Sequence, residues 1–294
     1  MKRKTFHPEK FSFILSGIVF LFLCFKLLVP VGAFEINKIK IQINKPLESE
    51  LKIVQISDLH LGSWLNKNRI QKMVDEVNNL EPDLIFITGD FVNYNSKETE
   101  PFGPILKKLK SKLGVFAILG NHDYGEYIKW EDENQKYNDF QELKHFIKST
   151  GCTLLLNENI KIINNRDTVY IAGTENWGIK KRYPKKADLK KTLKNVNFEK
   201  PVLLLSHDPE FWRHFIKDNN NKTDITFSGH THGGQVGNKN INQKIAKFLN
   251  IYLAGLYNDN NHQYLYVNSG IGFLGLPFRI GISPEITEFV VNKM

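Results

Sequence analysis

Ser228-Gly229-His230-Thr231-His232-Gly233-Gly234-Gln235 follows a short apolar run, Asp224-Ile225-Thr226-Phe227. Side chains two apart on a strand share a face, so a His-x-His at a strand end can aim two imidazoles into one small volume. The flanking glycines permit turns that a Cβ would forbid. A lone pair of this kind is equally the mark of ordinary surface or core histidines. It gains weight only if the chain supplies matching ligands elsewhere.

Upstream, the same arrangement recurs. Val202–Leu205 reads as a strand and runs into Ser206-His207-Asp208. Val115–Leu119 runs into Gly120-Asn121-His122-Asp123, Leu84–Thr88 into Gly89-Asp90, and Lys52–Ile56 into Ser57-Asp58-Leu59-His60. Helical spacing is expected over 66–80, where Ile70, Met73, Val74, Val77 and Leu80 recur, and over 104–113, 141–148, 188–193 and 211–216. Strand alternating with helix predicts an α/β core with partly parallel pairing. Runs at 153–156, 161–163 and 169–172, and again at 264–267 and 286–291, suggest a second sheet. Ligands in open α/β sheets bind outside the carboxyl ends of the strands, which is where these motifs stand. Five of the nine histidines belong to them; His7, His145, His214 and His262 do not and read as packing or surface residues.

The 294-residue chain can hold one large domain or two small ones. With 41% hydrophobic and 24% charged residues it is globular in composition, not disordered. Its net charge of +9 is divided: +4 lies in the first 33 residues and +5 in the rest. The body is thus mildly basic, which suits acidic small molecules or an anionic membrane and does not by itself call for nucleic acid. There is also no basic and aromatic stacking platform of the kind that binds single strands. Cys24 and Cys152 are too few and too far apart to suggest a disulfide or a thiolate zinc site, so a metal would be held by His, Asp and Asn. Lys180–Lys186 is the densest later charge cluster; it reads as a solvated loop or as a contact for anionic lipid or substrate.

At the start, Lys2, Arg3, Lys4 and Lys10 precede Phe11–Phe25, which has no charge, and apolar character resumes after Lys26 as far as Ala33. Fifteen helical residues span about 22 Å and the full run about 34 Å, against a hydrocarbon core of roughly 30 Å. Residues 1–33 therefore read as a single membrane anchor with Lys26 snorkelling, or as a cleaved signal segment. The leading positive charge favours a cytoplasmic N-terminus and an extracytoplasmic body, although Lys26, Lys38, Lys40 and Lys45 blunt the asymmetry. Residues 34–50 read as a linker and 51–294 as the folded domain.

Carboxylate, amide and imidazole ligands suit two divalent ions such as Mn, Fe, Zn or Mg. A pair of ions shares a bridging carboxylate, clamps a phosphoryl oxygen and makes hydroxide available at neutral pH. Asp58 and Asp90 are the strand-end carboxylates placed to begin such a site.

The set Asp58-Leu-His60, Gly89-Asp90, Gly120-Asn-His-Asp123, His207 and Gly229-His-Thr-His232 resembles the calcineurin-like metallophosphoesterase family, with no motif missing. The resemblance covers about residues 50–294. Ser57–Gly62, Gly233-Gly-Gln235, Tyr266–Gly270, Leu276–Ile280 and Pro284–Thr287 are similar to its membrane-associated bacterial subgroup, which includes cell-wall phosphoesterases and hydrolases of UDP-diacylglucosamine. The resemblance implies a four-layer αββα sandwich behind the N-terminal membrane segment. It implies one metal on Asp58, His60, Asp90 and His232, and a second on Asp90, Asn121, His207 and His230, with Asp90 bridging. His122 would stabilise the transition state or protonate the leaving oxygen, with Asp123 orienting it, while metal-bound hydroxide attacks phosphorus in line. The expected substrate is a phosphodiester or lipid-linked diphosphate of the cell envelope. Arg279 reads as a bidentate phosphate contact or a structural ion pair. Asn93 and Tyr94 read as pocket lining or plain loop. Ile271, Phe273, Leu274 and Leu276 read as an apolar wall for a lipid substrate or as core. The rival class is a non-catalytic metal-binding module on the same fold, which the presence of Asp90, Asn121 and His122 disfavours.

Overall fold

The computed structural model describes residues 12, 16, 17, 20 and 33–294, apart from 218, 220–222, 260 and 276–278. The expected membrane anchor or signal segment therefore lies almost wholly outside the described residues, as does Leu276 of the expected apolar wall. Among the described residues no helix is long and apolar enough to cross a membrane.

Two six-stranded sheets face each other. The first has the order β1(Glu35–Ile43), β12(Glu285–Lys293), β2(Leu51–Ile56), β3(Leu84–Thr88), β4(Val115–Ile118), β5(Thr153–Leu154). In it β2, β3, β4 and β5 run parallel, β12 is antiparallel to β2, and β1 is parallel to β12. The second has the order β10(Gly255–Asn258), β11(Tyr264–Val267), β9(Ile225–Ser228), β8(Val202–Leu205), β7(Asp167–Gly173), β6(Glu158–Asn164), parallel from β11 to β7 with an antiparallel strand at each edge.

Period-two alternation divides each central strand between two cores. In β3, Leu84 and Phe86 face the opposite sheet, while Ile85 and Ile87 face the helices. The helix-side core of the first sheet receives α1(Lys67–Asn79) through Ile70, Met73, Val74 and Val77. The short α2(Gly103–Leu106) and α3(Glu133–Ser149) add Leu106, Leu143 and Ile147 to it. The outer core of the second sheet receives Phe211 and Trp212 of α5(Glu210–Phe215), with α4(Leu189–Thr192) nearby. The layers are helix, sheet, sheet, helix. Between the sheets, rings from alternate sheets interlock: Phe86 of β3 on Phe227 of β9 (4.9 Å between centroids), Phe227 on Phe289 of β12 (5.0 Å), and Phe289 on Tyr266 of β11 (4.9 Å).

Several elements differ from the reading of the sequence. Glu35–Ile43, inside the stretch read as a linker, is a strand: Ile41 and Ile43 enter the inter-sheet core while Lys38 and Lys40 stay exposed, a common guard for an edge strand. The helix expected over 104–113 stops at Leu106, because the lysine-rich continuation is taken up by Asn78, whose side chain accepts from Lys110 N and donates to Lys108 O. The run at 153–156 and the last strand, both expected in the second sheet, join the first as β5 and β12. A further helix, α6(Lys239–Phe248), capped by the Asn238 side chain, follows the glycine turn.

Candidate metal centre

β2, β3, β4, β8 and β9 all point their carboxyl ends at one pole, so the five motifs meet at the seam between the sheets. Gln55, on the inward face of β2, ties that seam by donating to Thr88 Oγ1 (3.0 Å) and across the sandwich to Ser228 O (2.9 Å).

Asp90 sits at the middle. Its Oδ2 lies 3.1 Å from His207 Nε2 and 3.7 Å from His60 Nε2, while its Oδ1 accepts from the His122 backbone N–H at 2.8 Å. On one side His60 Nε2 faces His232 Nε2 at 3.2 Å, and His232 Nε2 is 3.5 Å from Asp58 Oδ1. Asp58 in turn accepts the His230 N–H at 3.0 and 3.1 Å. Three overlapping groups have donor atoms close enough to share an ion: Asp58, His60 and His232; His60, Asp90 and His122; Asp90, His207 and His230. Six of the seven expected ligands thus converge, and all seven except the partly exposed His230 are buried. The Asn121 Oδ1 is buried with no hydrogen-bond partner, while its Nδ2 donates to the Tyr127 hydroxyl at 2.5 Å.

The local backbone is unusual. Asp58, His60, Asp90, His230 and His232 have φ of 51°, 41°, 55°, 74° and 51°, so five of the seven expected ligands sit in the left-handed region. Each such residue costs about 1–3 kcal/mol and persists only where its surroundings over-determine it. The motif glycines have a steric reason. A Cβ on Gly120 would collide with Asp90 Oδ1, and one on Gly229 with Ser57 Oγ and Asp58 Oδ2.

The electrostatics favour metal-ready donors. Burial keeps His60 and His230 uncharged, each brought down to about 3, and lowers His232 well below its ordinary value. Burial pushes the Asp58 carboxyl up to about 6. Burial would also raise Asp90, but the surrounding His207, His122 and His60 bring it well below the carboxylate range. His207 is the exception: burial disfavours its charge, yet Asp90 holds it up at about 10. Its Nδ1 bonds Thr88 O at 2.7 Å, which fixes the ring with Nε2 toward Asp90, the kind of backing that orients metal-binding imidazoles. Converging neutral imidazoles, two carboxylates and an unpartnered amide oxygen together fit borderline or hard divalent ions.

Two expectations are corrected by this geometry. Asp123 was expected to orient His122. Instead its carboxylate accepts four backbone N–H groups, from Asp90, Phe91, Val92 and Gly120, at 2.8–3.2 Å, and so locks the loops after β3 and β4 together. The orienting group for His122 is the Asn93 carbonyl, 2.8 Å from Nδ1. Arg279, read as a phosphate contact or a structural ion pair, is buried: Nη1 donates to Ser269 O, Nε and Nη2 donate to Gly272 O, and Nη2 stands 3.2 Å from His232 Nδ1. Its side chain is thus a structural tie beside His232, held by backbone carbonyls. Of the run read as an apolar wall or as core, Ile271 and Phe273 lie in the helix-side core and Leu274 is half exposed.

Sequence reasoning missed the other side of the rim. The Tyr127 ring stacks on His122 (3.9 Å between centroids, 5° between planes), with the Arg182 guanidinium 5.1 Å above it. Tyr183 meets His230 edge-on at 5.3 Å, and Asp208 Oδ2 is 3.7 Å from His230 Nε2. The Lys180–Lys186 cluster therefore borders the candidate site. Its charge was visible in the sequence, but nothing there gave its place.

A family model described as calcineurin-like phosphoesterase matches residues 51–234. An uncharacterised metallophosphoesterase of Helicobacter pylori is 32% identical over 252 residues, covering 86% of this chain and 62% of that protein. A transmembrane protein with metallophosphoesterase domain from Danio rerio is 31% identical over 264 residues, covering 87% and 56%. The UDP-2,3-diacylglucosamine pyrophosphatase LpxG of Chlamydia muridarum is 30% identical over 267 residues, covering 76% and 78%. The chain thus spans less than two thirds of the Helicobacter and Danio relatives.

Proposed function

The chain belongs to the calcineurin-like phosphoesterase family, and on that premise we propose that it hydrolyses a phosphate ester with two divalent ions. One ion would be held by Asp58, His60, Asp90 and His232, the other by Asp90, Asn121, His207 and His230. The observation that carries the reading is the position of Asp90 Oδ2 between His60 Nε2 and His207 Nε2 at 3.7 and 3.1 Å, each histidine belonging to a different donor group. When bound, such ions neutralise charge on the phosphoryl oxygens and make water a nucleophile at neutral pH.

The protein's own groups do the rest. Asp123 fixes the two loops that carry Asp90 and His122. With Nδ1 committed to Asn93 O, His122 turns its Nε2 edge toward the site, where its protonated form would give a proton to the leaving ester oxygen as the P–O bond breaks and water's oxygen joins phosphorus. Tyr127 covers one face of that imidazole and shields it from bulk water.

The substrate class is a phosphodiester or a lipid-linked diphosphate. Support comes from the cationic rim, where Arg182 and Lys180 approach Tyr127 and Tyr183, and from the printed activity of the Chlamydia relative. The place of action is a membrane, with the domain outside the cytoplasm for an envelope phosphodiester and facing the cytoplasm for a UDP-linked diphosphate. The apolar, basic-flanked residues 1–33 and the Danio relative's printed name support it.

The test is turnover by the full chain in detergent after chelation and Mn re-addition, on an aryl phosphomonoester, an aryl phosphodiester and UDP-diacylglucosamine, beside Asp90→Asn. Metal-restored turnover that Asp90→Asn lacks supports the reading. Turnover that survives chelation or Asp90→Asn undamped overturns it.

A further inference from the structure

Strand direction puts three features at one pole. β12 runs antiparallel to β2, with Thr287 opposite Gln55, so its first residue Glu285 lies at the carboxyl end of β2, where Asp58 and His60 follow. β1 is parallel to β12 and starts with Glu35 opposite Glu285. The chain therefore enters the domain at the pole of the metal centre. The apolar run Phe11–Ala33 ends two residues before that entry point.

The same pole carries α6. Its first residue, Lys239, pairs with Glu35 at 2.8 Å. Asn242 ties the helix back to the His230–Gly234 turn by donating to Gly233 O (3.0 Å) and Val236 O (3.1 Å). The outward face is apolar. Ile241, Ile245, Phe248 and the next residue, Leu249, are 57%, 49%, 88% and 57% exposed. Their spacing of i, i+4, i+7 and i+8 makes one stripe on a helix, and the exposed Lys244 and Lys247 flank it on one side. A row of large exposed apolar groups marks an interaction surface. An apolar stripe edged by lysines is the pattern of a helix that lies in a membrane interface.

We propose that this face of α6 rests in the headgroup region of a lipid bilayer, with Lys244 and Lys247 against anionic lipid phosphates, so that the pole bearing the metal centre faces the membrane. The lysine flank and the apolar chain entering beside Lys239 select a bilayer over a second copy of the chain. A second copy would use the apolar stripe but would leave both of those features without a role. The surface deepens the proposed function by bringing the site to a lipid-linked substrate, but it stands on geometry that does not require turnover.

The test reads position instead of activity. The full chain is incorporated into phosphatidylcholine–phosphatidylglycerol vesicles with a polarity-sensitive fluorophore on Phe248→Cys in a Cys24→Ser background, Cys152 being buried. The control is Ile163→Cys, 64% exposed near the end of β6 at the opposite pole. The expected result is a blue shift and quenching by spin-labelled lipid at 248 but not at 163, weakened when Lys244 and Lys247 are replaced by Gln. A label at 248 that stays as aqueous as the one at 163 overturns the proposal, as does absence of the protein from the vesicles. A label already shielded in a detergent-solubilised dimer would overturn it in favour of a second copy. Turnover plays no part in these outcomes, so they separate from failure of the proposed activity.

Discussion

Midway along β3 and β9, Phe86 and Phe227 interlock between the sheets in ordinary extended backbone; a few residues further on, the same strands lead into Asp90, His230 and His232, polar, left-handed and, except for the partly exposed His230, buried. The first region is stable by burial alone. The second assembles at a cost, with neutral imidazoles facing one another and a carboxylate, Asp123, holding four N–H groups to keep two loops in place. The difference separates what folds this chain from what the fold holds ready: the rim depends on the core, and the core should not depend on the rim.

Changes to the two regions should therefore separate. The largest effect is expected from Phe86→Ala, which opens a cavity between the sheets and should cost about 3–5 kcal/mol in denaturant unfolding; metal affinity of the folded fraction should be unchanged. Gly229→Ala should do the reverse. Its Cβ displaces Asp58, and since a shift of about 1 Å near reacting groups can cost about 100-fold, kcat/KM should fall by about that factor with a much smaller loss of stability. Chelation of the wild type should lower the melting temperature by on the order of 5–10 °C, since ligand at about 100 Kd contributes about 2.7 kcal/mol and a chain of this size shifts about 2–4 °C per kcal/mol; Asp90→Asn should abolish that difference. Arg182→Ala should raise KM for an anionic substrate about tenfold with kcat little changed, consistent with one lost charge-assisted contact at an exposed site.

The smallest effect concerns the amino end of β9. Burial raises the Asp224 carboxyl above its ordinary value, against the pull of Lys45 and the Val202 amide. The folded state thus binds that proton more readily than the unfolded state. The associated stability is fully present below the unfolded carboxylate pKa and is lost as pH rises through the raised folded value. Melting temperature against pH should show this decline in the wild type and a flatter profile in Asp224→Asn; identical slopes would assign the effect elsewhere.

The central strands and the convergence of Asp58, His60, Asp90, His207, His230 and His232 were legible because each rests on a local rule: a continuous apolar run, then a polar group at its carboxyl end. The role of Asp123 was not, because its neighbour in sequence, His122, is not its partner in space; four N–H groups, three from a loop 31 to 33 residues away, claim it. Tyr127 and Arg182 meet over His122 through loop paths that no periodicity encodes. β1 was hidden because its alternating lysines read as linker. α6 was hidden because its apolar spacing points toward no core.

The pairing of β1 with β12 has a mechanical consequence. The first and last strands lie side by side, parallel, joined over nine residue pairs from Glu35–Glu285 to Ile43–Lys293. Tension between the entering chain and the C-terminus pulls them past each other and loads the whole ladder in shear, where an antiparallel pair pulled from one end would open one rung at a time. A pull on those two ends is thus resisted by all nine pairs at once, so the domain is clamped by its own first and last strands.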